Sequence, residues 1–92
     1  MRYEWDEAKR RINLTRHGID FAELPPIFED APLTFSDDRY DYGERRLSTL
    51  GLLKGRVVMI SHTETNDGII RLISARRASK NEEIKYFKEI WN

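Results

Sequence analysis

With 92 residues, 39% of them hydrophobic and 35% charged, the chain has apolar material for one small core and too little for two. Sixteen basic residues balance sixteen acidic ones and cysteine is absent, which excludes disulfides, thiolate catalysis and cysteine-held metals and leaves no overall surplus of cations for a polyanionic partner. No apolar run nears the ~20 residues that span a bilayer, and Met1-Arg2-Tyr3-Glu4-Trp5 lacks the apolar block of a signal peptide. The expected setting is the cytoplasm, with no membrane contact.

Arg2 to Trp5 reads as a short strand. Asp6 then carries the side chain wanted at a helix N-cap, and a helix is predicted from Glu7 to His17, ended by Gly18. Ala8, Ile12, Thr15 and Ile19 form its narrow apolar stripe, while Lys9, Asn13 and His17 stand four residues apart in one polar line. That line is either a site or a solvated face. Asp20 with Glu23 starts a second helix near Phe21, which Pro25-Pro26 must break into one turn, a kink and another turn carrying Ile27 and Phe28.

From Leu33 and Phe35 the period becomes two, the acidic stretch to Gly43 reads as an exposed loop, and Arg45 to Leu53 resumes as strand. Lys54-Gly55 is a hairpin turn, Arg56 to Glu64 a strand, Asn66-Asp67-Gly68 a turn, and Ile69 to Arg77 the last strand. Ser79-Lys80-Asn81-Glu82 is a capping box that opens a final helix, with Ile84, Phe87, Ile90 and Trp91 on one face. The predicted fold is α+β, a single domain over 1–92: β-α-α, then an antiparallel meander and a C-terminal helix.

A symmetric two- or four-residue loop at Thr65–Gly68 places His62 opposite Arg71, Ile60 opposite Ile73 and Val57 opposite Arg76; an odd loop shifts the pairing by one residue. A tight turn at Lys54-Gly55 sets Leu47 beside His62, with Arg46, Thr63 and Arg76 on the reverse face.

The zero net charge hides a polarised distribution. Asp20 to Glu44 carries a balance of minus seven and Arg45 to Lys80 one of plus six. Two histidines with clustered arginine and lysine suit phosphodiester chemistry, and RNA brings its own nucleophile. A ribonuclease needs a base near the 2′-hydroxyl, an acid near the departing 5′-oxygen and positive charge where the phosphorane develops. Histidine titrates near pH 6.5 and arginine grips phosphate in bidentate fashion. No metal or other cofactor is required. Each candidate also has a plainer role: His17 as a C-terminal capping residue, His62 as a half-buried packing residue, Arg71 and Arg76 as strand arginines reaching water.

Trp5-Asp6, Lys9, Asn13 and His17-Gly18-Ile19 with Phe21, then Glu44-Arg45-Arg46, then Arg71-Leu72-Ile73-Ser74-Ala75-Arg76-Arg77-Ala78 with Glu82-Glu83 and Tyr86, resemble the BrnT toxin family. The resemblance implies a RelE-like fold, RNA cleavage that arrests growth, a type II toxin–antitoxin setting, and neutralisation by a BrnA-like antitoxin with a DNA-binding segment. It carries weight onto Lys9, Asn13 and His17, onto Arg46, and onto Ser74 and Arg76. Pro25-Pro26 departs from the family's continuous helix.

The expected protein is therefore a metal-independent endoribonuclease toxin with a basic cleft between the first helix and the sheet. Lys9, Arg46, Arg71 and Arg76 would grip phosphate, His17 or His62 would transfer protons, and Arg16, Arg77 and Lys80 would add contacts to RNA. An antitoxin would cover the cleft with acidic groups in a hetero-oligomer. The alternative is a non-catalytic RNA- or protein-binding module.

Overall fold

The computed structural model describes residues 2–30, 32–37 and 45–91; the expected acidic loop beyond Asp37 and Glu44 of the middle motif lie outside them. The order is β1 (Arg2–Trp5), α1 (Glu7–His17), a 3₁₀ turn (Phe21–Glu23), α2 (Pro25–Phe28), β2 (Leu33–Ser36), β3 (Arg46–Leu53), β4 (Arg56–Glu64), β5 (Ile69–Arg77) and α3 (Lys80–Trp91). Local chemistry sets these boundaries. Asp6 Oδ1 accepts from the N–H groups of Ala8 (2.8 Å) and Lys9 (3.2 Å), and Gly18 ends α1 at φ 71°. Pro25 begins α2 because its missing N–H is one that a first helical turn leaves unused.

One sheet holds all five strands in the order β1-β5-β4-β3-β2. β2 to β5 form the antiparallel meander, while β1 joins β5 in parallel, Trp5 lying opposite Leu72. The β4–β5 register differs from the symmetric-loop expectation. Thr65 N–H donates to Ile69 O and Gly68 N–H to Thr65 O, with Gly68 at φ 80°, so three residues make the turn and the pairing moves by one. Arg71 therefore faces Thr63, and Leu72 faces His62. A bulge at Ser61/His62 leaves Ile73 as the extra residue and shifts the register again, pairing Ser61 with Ser74, Ile60 with Ala75 and Met59 with Arg76. Leu47 does pair with His62, and Arg46 with Thr63.

The core lies on both faces of the sheet. On one, Phe21, Leu24 and Ile27 from the 3₁₀ turn and α2 pack on Val58, Ile60, Ile70, Leu72 and Ala75. On the other, Tyr86 of α3 packs on Leu50, Val57 and Met59. Two expected stripes are corrected. Ala8, Ile12 and Thr15 are exposed, Ile12 by 55%, because α1 lies along the sheet edge and docks through polar groups rather than across a face. Ile84, Phe87 and Ile90 are also exposed, since among the described side chains of α3 it is Tyr86 that is buried against the sheet; the Trp91 side chain lies outside the described ones.

The α2 face needs a gap in β3. A Cβ at Gly51 would stand 2.2 Å from Ile27 Cγ2, and Ile27 is itself buried. Gly51→Ala should lower unfolding free energy by about 2 kcal/mol through overpacking. Chemical denaturation should show that cost shrinking in an Ile27→Ala background, and equal costs in both backgrounds would contradict the contact.

Candidate active site

The face carrying α3 presents chemistry in rungs across three strands. Ser48 of β3 pairs with Ser61 of β4, which pairs with Ser74 of β5. On the rung above, Arg46 and Arg71 flank Thr63; on the rung below, Arg76 is opposite Met59. Side chains two residues apart on a strand share a face and stand roughly 7 Å apart. The serine row thus runs between a rung with Arg46 and Arg71 and a rung with Arg76, and its small side chains leave depth.

That depth is a concavity of about 320 Å³ lined by Phe35, Asp37, Ser48, Ser61, Arg76 and Glu82 among others. A second, of about 190 Å³, lies between α1 and β5 and is lined by Lys9, Asn13, Arg16, His17, Ile73 and Ser74 among others. Ser74 faces the second and its cross-strand partner Ser61 the first. The two hollows therefore adjoin at the serine row. The bulge contributes directly, because the extra residue lets Ile73 and Ser74 both line the hollow against α1.

Asn13 fixes α1 in place. β1 ends at Trp5 opposite Leu72, and beyond that point Asn13 Oδ1 accepts from Ala75 N–H on the β5 edge at 3.0 Å. Its Nδ2 donates to Ile19 O at 2.9 Å. The Arg10 guanidinium grips Asp20 through Nε (2.8 Å) and Nη2 (3.0 Å) and also bonds Glu7, holding the Asp20 carboxyl below its usual range chiefly through that hydrogen bond. The polar line predicted on α1 is thus divided. Lys9 and His17 are exposed in the groove, and buried Asn13 is the fastening.

Arg76 is pre-set by Glu82. Its Nη1 and Nη2 donate to Glu82 Oε1 (2.8 Å) and Oε2 (3.0 Å), and Nη1 also reaches Arg77 O (3.1 Å). Glu82 closes the capping box as well: its Oε1 accepts from Ser79 N–H, and its N–H donates to Ser79 Oγ. The Arg76 hydrogen bond pulls the Glu82 pKa down to about 2. The helix cap and the Arg76 guanidinium share one carboxylate. Glu82, Ser48 and Ser61 were not among the sequence candidates; for Glu82 the signals were its place in the closing motif and a capping box that starts three residues after Arg76, and for the two serines there was none.

The remaining candidates separate. Arg71 lies 3.9 Å from Glu4 at the open end of the arginine row. Arg16 borders the α1 hollow, Arg77 lies on the opposite face beside Val58, and Lys80 is exposed at the start of α3. His62 is 2% exposed, on the α2 face, against the edge of Phe28. Its Nε2 bonds Thr49 Oγ1 at 2.7 Å, and Thr49 bonds Thr34. Burial lowers its pKa to about 4, so the ring is neutral at physiological pH. A ring so buried and neutral is closed to a substrate on either face.

A family model described as the ribonuclease toxin BrnT of type II toxin–antitoxin systems matches residues 5–82. The chain belongs to the BrnT family. The solved structure of the Brucella abortus ribonuclease toxin BrnT is 30% identical and aligns with a TM-score of 0.71, over 87% of this chain and 99% of that one. A search of curated proteins gives no match. Among the described residues no helix is long and apolar enough to cross a membrane.

The buried histidine makes stability depend on pH in this BrnT-family protein. Its folded pKa lies below the unfolded value of 6.5, so the unfolded state takes up the proton first as the solution is acidified. His62 should reduce stability progressively between pH 6.5 and 4, by at most about 3 kcal/mol, with no contribution to the slope above that window. Denaturant midpoints measured across this range should flatten in His62→Gln, and an unchanged slope would place the titrating group elsewhere.

Proposed function

We propose that this BrnT-family chain is a growth-arresting endoribonuclease, RelE-like in fold and active in the cytoplasm, that cleaves RNA by metal-independent transesterification at the serine row. The carrying observation is that Ser74 faces Lys9 and His17 of α1 while its partner Ser61 shares a hollow with Arg76. One phosphodiester over that row meets both groups. The RNA 2′-oxygen attacks the adjacent phosphorus and the bond to the 5′-oxygen breaks, giving a 2′,3′-cyclic phosphate and a 5′-hydroxyl. Of His17 and Lys9, one takes the proton from the 2′-hydroxyl and the other gives one to the departing 5′-oxygen. Arg76, oriented by Glu82, turns toward the developing charge on the non-bridging oxygens. Arg46 and Arg71 bind the neighbouring phosphate, and the serine hydroxyls meet ribose or phosphate oxygens. His62 has a structural role in this reading.

Neutralisation follows from the same charge pattern. A BrnA-like antitoxin with its own DNA-binding segment would cover the groove and set carboxylates against Lys9 and the arginines.

Purified protein incubated with labelled RNA in excess chelator should cut it. Lys9→Ala and Arg76→Ala should each lower turnover by about 10²-fold or more, the scale of losing one transition-state donor, and abolish growth arrest while the circular-dichroism spectrum persists. Full-length RNA across a wide enzyme range would contradict metal-independent cleavage, and undiminished growth arrest in both variants would contradict the assigned roles.

A further inference from the structure

A third hollow lies on the α2 face of the sheet, beyond the end of α1. It measures about 320 Å³ and is lined by His17, Glu23, Lys54, Arg56 and Arg77 together with apolar Ile19, Leu53 and Val58. His17 lines this hollow and the α1–β5 hollow alike, so the two meet at that side chain. Lys54 is committed to Glu23 at 2.8 Å. Arg56 and Arg77 have no ion pair among the described residues. Arg77 is opposite Val58 and Arg56 is two residues before Val58 on the same strand, which makes the two arginines diagonal neighbours on one face. Like charges so placed repel. A fold that keeps them together at the rim of a hollow with apolar walls presents a fork for one anion.

We propose that this hollow is a phosphate subsite for the RNA strand, occupied by a phosphodiester farther along the chain than the one held at the serine row. The inference rests on the nuclease reading above and extends it by giving the strand a direction: past Lys9, around His17 at the end of α1, and onto Arg77 and Arg56. Arg16 in the last turn of α1 offsets the partial negative charge of that helix end. Single-stranded nucleic acid suits a bent track of this kind, because its backbone turns and its phosphates repeat.

The test measures binding of a long single-stranded RNA whose 2′-hydroxyls are replaced by hydrogen, so that no cutting intervenes. The Arg56→Ala/Arg77→Ala double variant should weaken binding about tenfold or more and reduce the log-affinity against log-salt slope by roughly 1.4, the release expected for two contacts on a single strand. Lys88→Ala, an exposed cation on α3, should change neither quantity. Affinity within twofold of the unmodified protein, an equal loss in the Lys88 control, or a loss confined to antitoxin binding with RNA affinity intact would each overturn the subsite. If the unmodified protein binds with the expected salt slope but fails to cut ordinary RNA, the nuclease reading fails while the subsite stands.

Discussion

The arrangement depends on one buried amide. Asn13 bonds the Ala75 N–H on the β5 edge and the Ile19 carbonyl beyond its own helix, and α1 has no other buried side chain. A surface helix ordinarily docks by an apolar stripe; this one offers exposed Ile12 and Leu14 instead. Leaving the partners of a buried amide unpaired costs about 1–3 kcal/mol, so this fastening is specific as well as stabilising. It also fixes which residues Lys9 and His17 face.

The sheet supplies the other half of the constellation through size and register. Serine on three adjacent strands keeps a floor low where larger side chains would fill it, Arg76 lines the resulting hollow, and Arg46 and Arg71 stand one rung beyond. The bulge turns Ile73 and Ser74 together toward α1. Glu82 then couples the start of α3 to the Arg76 guanidinium, so the fold's last helix also sets the orientation of a charged group in the hollow.

Much of this was legible where the signals are local. The capping residues Asp6, Gly18 and Ser79 placed both long helices, and the period-two runs gave β4 and β5 their bounds. The proline pair broke the second helix as its chemistry requires. What escaped was long-range. Nothing local says that β1 pairs with β5, that Ile73 is bulged, or that a three-residue turn puts Arg71 on the Arg46 face rather than beside His62. Apolar spacing on α1 and α3 suggested buried stripes, but Asn13 and Tyr86 make the buried contacts. The site suffered in the same way: Lys9, Asn13, His17, Ser74 and Arg76 stood out as motif residues, whereas the serine row exists only across strands.

The most direct test is amide hydrogen exchange at Ala75 together with RNA cleavage in Asn13→Ala. The account predicts that Ala75 loses protection by about tenfold or more, the scale of one lost buried hydrogen bond, that cleavage falls with it, and that the β3 and β4 core amides keep their protection. Undiminished cleavage by a protein whose Ala75 amide has become labile would show that α1 needs no such fastening, and the account of the site would be wrong.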